Sequence, residues 1–143
     1  MILYLDTSAL VKLYVSEAGT EEVMAAVTRA QAVASHDIAY VEAHAALARL
    51  LRESAVTESV HAGIKREFRE DWAQLMRLEL TAALADRAAE FAEAFALRAY
   101  DSIHLAAADH LHRHAVTPVT FACFDRRLNR AAGVLGLTLL SQP

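Results

Sequence analysis

Ile2-Leu3-Tyr4-Leu5 runs straight into Asp6-Thr7-Ser8, and apolar residues then return at Ala9, Leu10, Leu13 and Tyr14. Four apolar residues without alternation read as a strand buried on both faces, as in the middle of a parallel sheet. Asp, Thr and Ser can accept hydrogen bonds from the free N–H groups of a helix start, and the apolar spacing beyond them is helical. A central strand therefore gives way to a helix at Asp6.

Outward from this unit the alternation repeats. Gly19-Thr20-Glu21-Glu22 puts acids where a helix N-terminus favours negative charge, and Val23, Ala26, Val27 and Ala30 carry a second helix to about Arg29. Residues 32–35 read as a second strand, and Ile38, Val41, Ala45, Ala48 and Leu51 as a long helix over 37–53 with Glu42 near its start. The spacing of Val60, Ile64, Phe68, Trp72 and Leu75 predicts an amphipathic helix over 58–78, followed by a very short strand at 78–80. An alanine-rich helix over 82–95 follows, then a helix over 103–112 capped by Tyr100-Asp101-Ser102. Residues 118–124 form an uncharged β-rich run closed by Asp125, residues 128–132 a short helix broken by Gly133 and Gly136, and residues 137–140 a last strand. Strands alternating with helices imply an α/β fold, a three-layer α/β/α sandwich on a short, mainly parallel sheet.

The 143 residues fall within the roughly 100 to 200 expected of one domain, and no repeat, Pro-rich linker or low-complexity tract divides them. A single domain over 1–143 is expected. With 55% hydrophobic and 22% charged residues the chain can bury a sizeable core, and disorder is excluded. The longest uncharged run, 131–143, is interrupted by Gly133 and Gly136 and falls well short of the ~20 apolar residues that span a bilayer. With neither a membrane span nor a basic, apolar leader at the start, the cytoplasm is the expected compartment. The single Cys123 supports neither an internal disulfide nor a thiolate zinc site. A net charge of -4 and a pI of about 5.9 give no global pull toward nucleic acid. They do not exclude an enzyme whose carboxylates hold divalent cations, because bound ions reverse the local field.

In an open α/β sheet ligands bind beyond the carboxyl ends of the strands, and here those positions are acidic. Asp6 follows the first strand and Asp125 the strand of 118–124, while Asp101 and Glu42 lie in the first turns of helices that could start at the same edge. Each has a plainer reading: an Asp between strand and helix is often an N-cap, and a Glu on a helix is often simply solvated. Brought together, four carboxylates raise one another's pKa unless protons or cations neutralise them. Hard oxygens without Cys suit Mg²⁺ or Mn²⁺, and a pair of such ions about 3.5 to 4 Å apart is an arrangement that hydrolyses phosphodiesters. Metal-assisted nucleic-acid cleavage is the implied reaction.

The wording around these acids carries a resemblance. Leu-Asp-Thr-Ser-Ala-Leu-Val-Lys-Leu-Tyr at 5–14 resembles the opening of PIN-domain ribonucleases, which include the VapC-type toxins. The likeness continues through Ser35 and Ile-Ala-Tyr-Val-Glu-Ala at 38–43, through Leu-Arg-Ala-Tyr-Asp-Ser-Ile-His-Leu-Ala-Ala-Ala at 97–108, and through Phe-Ala-Cys-Phe-Asp-Arg-Arg-Leu-Asn-Arg-Ala-Ala at 121–132, covering nearly the whole chain. The resemblance implies that Asp6, Glu42, Asp101 and Asp125 are the catalytic and metal-holding acids of a Mg²⁺- or Mn²⁺-dependent endoribonuclease. Asp6, Asp101 and Glu42 would hold the principal ion, and Asp125 would complete the site or recruit a second. It further implies an RNA substrate, a homodimer, and a small antitoxin protein that blocks the acidic cleft. Many members carry Ser or Thr two residues before the last Asp, where this chain has Cys123, a poor ligand for a hard metal.

Ser8, Lys12, Arg126 and Arg127 are candidates for holding substrate phosphates, with an ordinary charged helix face as the alternative. Thr7 is expected to cap, and His104, one turn beyond Asp101, to support the site from behind. Asp109 is rotated away and reads as a solvated charge. His110, His112 and His114 lack a common face and a fourth ligand, and read as surface residues near a helix C-terminus. Two other functions stay open: a PIN-fold module that binds RNA or protein without catalysis, and a phosphotransfer enzyme with Asp6 as nucleophile. The latter pattern wants a second Asp where this chain has Ser8.

Overall fold

The computed structural model describes residues 1–141, so the last two residues of the expected 1–143 domain lie outside the described residues. Its five strands are β1 (Ile2–Leu5), β2 (Ala32–His36), β3 (Met76–Leu78), β4 (Val119–Ala122) and β5 (Thr138–Leu139). They form one sheet in the order β3-β2-β1-β4-β5, and every neighbouring pair is parallel. The helices are α1 (Thr7–Val11), α2 (Thr20–Arg29), α3 (Ile38–Arg52), α4 (Glu58–Trp72), α5 (Ala82–Phe95), α6 (Ala99–His114) and α7 (Arg126–Val134).

β1 is buried at every position, and its side chains alternate between two cores. Ile2 and Tyr4 pack with Phe121, Leu105 and Leu128 against α5, α6 and α7, whereas Leu3 and Leu5 pack with Leu10, Val23, Ala43 and Phe68 against α1 to α4. Helices on both faces give the three-layer sandwich that the uninterrupted apolar run of β1 requires. The chain leaves β1 for β2 on one side and later returns to place β4 on the other, so strand order reverses beside β1. The crevice at such a reversal is where open α/β sheets bind ligands.

Several boundaries differ from the sequence expectation. α4 ends at Trp72, because the chain tightens into turns (Gln74 N–H to Asp71, Leu75 N–H to Trp72) and Met76–Leu78 pairs with Ala34–His36. The third strand is thus β3 at 76–78 rather than 78–80, and Thr81 caps α5 instead. α6 starts at Ala99, four residues early: Arg98 occupies the N-cap position and Asp101 lies inside the first turn, not at the cap. Gly133 sits within α7, whose end falls near Gly136 at φ 81°. Asp109 is no solvated charge, since its side chain is 4% exposed. Arg113 Nε, one turn on, stands 3.0 Å from its carboxylate and Arg87 Nε of α5 stands 3.6 Å away, so this buried acid ties α5 to α6. The three histidines behave as expected of surface residues, with the His110 and His114 rings stacked 4.3 Å apart. Among the described residues no helix is long and apolar enough to cross a membrane.

Candidate active site

At the carboxyl edge of the sheet a pocket of about 310 Å³ is lined by Asp6, Thr7, Ser8, Glu42, Arg98, Asp101, His104, Phe124 and Asp125. All four acids expected from the sequence are brought together there, from β1, α3, α6 and the end of β4. Asp6 is the N-cap of α1, its Oδ1 accepting the Ala9 N–H at 2.9 Å and the Ser8 hydroxyl at 2.7 Å. The Ser8 Oγ in turn accepts the Phe124 N–H at 3.1 Å, which stitches the β1 and β4 ends together. Asp125 is the N-cap of α7, with Oδ1 accepting the Leu128 N–H. Asp101 accepts from Arg98 Nε at 2.9 Å. Glu42 Oε1 accepts the Thr7 hydroxyl at 2.7 Å and lies 2.9 Å from His104 Nε2. Contrary to the sequence expectation, Thr7 does not cap but reaches across to α3, because Asp6 already fills the cap of α1.

The electrostatics follow from burial. Asp6 is 4% exposed, and burial pushes its carboxyl above the ordinary value despite hydrogen bonds from the Ser8 hydroxyl and the Ala9 N–H. A buried carboxylate in that condition is short of positive charge. Burial also pushes Glu42 up, but hydrogen bonds from His104 and Thr7, with the nearby charge of Arg98, together hold it below the ordinary value. Burial and the nearby Asp6 push the Cys123 thiol far up, so it stays protonated and offers no thiolate ligand.

Among the described residues no three His, Cys or acidic side chains close on one point tightly enough to grip an ion as they stand. The reason is visible in the bonding: each of the four carboxylates turns one oxygen to an internal donor, and Arg98 supplies positive charge beside Asp101. The donor set nevertheless fits a hard divalent ion in kind, with four carboxylates, no thiolate, and a buried Asp6 lacking a full counter-charge.

Of the proposed phosphate contacts, Ser8 lines the pocket and Lys12, Arg126 and Arg127 do not. Lys12 is buried against Glu17, 3.0 Å away, with its ammonium 4.5 Å from the Phe124 ring. Arg127 donates to the Ala96 carbonyl, and Arg126 is exposed. Sequence reasoning missed Arg98 and Phe124. Arg98 stands three residues before Asp101, the helical spacing of an ion pair, and that signal was available. Phe124 has no such signal, since its place depends on Gly19. At φ 91° Gly19 adopts the left-handed region, and a Cβ there would lie 2.6 Å from the Phe124 ring. Gly19→Ala is expected to cost about 1–2 kcal/mol in urea unfolding through backbone strain alone, and to displace the Phe124 ring. An unchanged midpoint with unshifted aromatic resonances would contradict this packing.

Comparison with known proteins bears directly on this geometry. The PIN domain profile matches residues 3–134. Ribonuclease VapC45 of Mycobacterium tuberculosis is 36% identical over 135 residues, covering 94% of this chain and 92% of its own. Among solved structures, a toxin-antitoxin complex from Klebsiella pneumoniae superposes with a TM-score of 0.68 at 18% identity, over 99% of both chains. M. tuberculosis VapC20, described as a sarcin-ricin loop cleaving toxin, superposes with a TM-score of 0.69 at 15% identity, again over 99% of both. With a profile match that takes in all four acids, and a relative of that identity over nearly its full length, the chain belongs to the PIN-domain family.

Proposed function

We propose that this protein is a Mg²⁺- or Mn²⁺-dependent endoribonuclease that acts as the toxin of a toxin-antitoxin pair, with Asp6, Glu42, Asp101 and Asp125 holding the metal. The observation that carries the reading is the convergence of four acids, spread from residue 6 to residue 125, on one pocket at the strand-order reversal. A hard divalent ion held by these carboxylates would supply Lewis acidity and lower the pKa of water for attack on a phosphodiester. The chain's own groups do the rest. Ser8 and the Ala9 N–H hold Asp6 in one orientation, Thr7 and His104 hold Glu42, and the exposed Arg98 guanidinium can turn from Asp101 to a substrate phosphate. Water as nucleophile needs no 2′-hydroxyl, so the preference for RNA rests on the family and its named relatives. The antitoxin partner rests on the same ground and on the Klebsiella complex, and the homodimer on the family alone.

The test pairs a thermal-shift titration with an RNA-cleavage assay on partner-free protein. At metal concentrations 100-fold above Kd, binding to the folded state contributes about 2.7 kcal/mol. For a chain of this size that raises Tm by about 5–10 °C. Wild type should respond to Mn²⁺ and cleave RNA only when metal is present, and Asp101→Asn should do neither. Metal-independent cleavage, or no cleavage of any RNA with metal bound, would overturn the proposal.

A further inference from the structure

Behind Glu42 the support from His104 continues into the buried core as a chain of polar groups. Tyr4 is fully buried on the α5–α7 side of β1, yet its hydroxyl stands 2.9 Å from His104 Nδ1. His104 is 2% exposed on α6, and its Nε2 stands 2.9 Å from Glu42 Oε1 on α3, in the opposite helical layer. The same Oε1 receives the Thr7 hydroxyl. We infer that Tyr4, His104 and Glu42 form a hydrogen-bonded relay in which His104 is a positioning residue, locked by Tyr4 as its Nε2–H tautomer and turning Glu42 so that Oε2 faces the pocket. This deepens the metal-site reading and rests on it for the role of Glu42.

The argument is one of satisfied donors. A buried tyrosine hydroxyl is a donor near neutral pH and loses free energy if its hydrogen finds no acceptor. Nδ1 is the acceptor that the structure puts within reach, so Nδ1 carries no hydrogen and the imidazole hydrogen sits on Nε2. There it points at a carboxylate that already accepts from Thr7. Two donors on Oε1 leave Oε2 as the oxygen without a donor among the described residues, and the pinned oxygen removes the rotation that would otherwise trade the two. Carboxylates and histidines held from behind in this way keep their geometry when a ligand binds, and losing such a support typically lowers metal affinity by about 10–100-fold. The ring of Tyr4 is itself held, stacked on Phe121 at 5.8 Å.

The test reads the tautomer and the metal separately. In ¹⁵N-labelled, metal-free protein, the His104 resonances, identified by their absence in His104→Gln, should show a hydrogen on Nε2 and none on Nδ1. In Tyr4→Phe, which deletes one buried hydroxyl and should fold, the Nδ1–H form should appear. Mn²⁺ binding, followed by the paramagnetic signal of the free ion, should weaken several-fold in Tyr4→Phe and about 10–100-fold in His104→Leu. His104→Gln, which restores an N–H toward Glu42, should recover part of that loss. An Nδ1–H or doubly protonated ring in the wild type overturns the relay even if Mn²⁺ binds normally. Unchanged Mn²⁺ affinity in a folded Tyr4→Phe and in His104→Leu overturns the positioning role. A wild type with the expected tautomer that binds no Mn²⁺ overturns that role too, and identifies the metal reading as the step that failed.

Discussion

Asp6→Asn and Asp101→Asn are expected to lower RNA cleavage by about 10³-fold or more, the scale set by losing several kcal/mol of charge stabilisation. Their effects on stability should differ. Asn caps a helix as well as Asp, so the α1 start survives at position 6. Because burial raises the Asp6 carboxyl, the folded chain binds the proton more tightly than the unfolded one. The ion-free protein therefore loses stability as pH rises from the unfolded pKa toward the raised folded pKa, and remains penalised at neutral pH. Removing that charge should raise Tm in chelator at pH 7, with little change at a pH below both pKa values. Asp101 sits beside an 80% exposed Arg98, a pair worth about 0–1 kcal/mol, so its variant should melt close to wild type. Purified variants compared by calorimetry and single-turnover cleavage would decide the matter. Undiminished activity in either sinks the catalytic assignment, and a lower Tm for Asp6→Asn would show that its carboxylate is compensated in some other way.

Phe68→Ala should be the most damaging of the simple core truncations, at about 3–5 kcal/mol. The ring is fully buried in the layer that carries α3, with Tyr14, Tyr40, His44 and Trp72 all within 5.2 to 5.8 Å of it, centroid to centroid. Against a total stability of about 5–15 kcal/mol for a domain, that loss is a large fraction. Urea unfolding should show a lower midpoint with an unchanged slope. Since α3 also bears Glu42, cleavage in the surviving folded fraction should fall as well. A loss below about 1 kcal/mol would mean that the aromatic cluster is not the pivot its geometry describes.

How far the fold was legible follows from where the information resides. β1 was readable because four consecutive apolar residues have few homes other than a sheet interior, and α5 because its alanine-rich composition is a local helix signal. β3 was misplaced by two residues because Met76-Arg77-Leu78 carries no strand pattern of its own, and pairing with β2 chooses it. The start of α6 was missed because Arg98 makes no side-chain cap that a sequence could advertise. All four acids of the pocket were legible, since each follows a strand or opens a helix, and family wording marks them. Their partners were not, except in outline: Thr7 meets Glu42 across 35 residues and Tyr4 meets His104 across 100, separations at which no local rule operates. Asp109 was misread because its burial depends on α5, which brings Arg87 over it.

The pairing of β1 with both β2 and β4 has a consequence for the timing of synthesis. Asp6 leaves the ribosome long before Asp125, and β1 cannot acquire its β4 neighbour until residues 119–122 have emerged. Parallel pairing across so long a stretch incurs its loop-closure entropy before any contact repays it, so this half of the sheet forms late. Until then one wall of the pocket and the Ser8 link to Phe124 are missing. Until residue 125 is in place the four acids do not share a pocket, so whatever they do together waits for the last of them to be delivered.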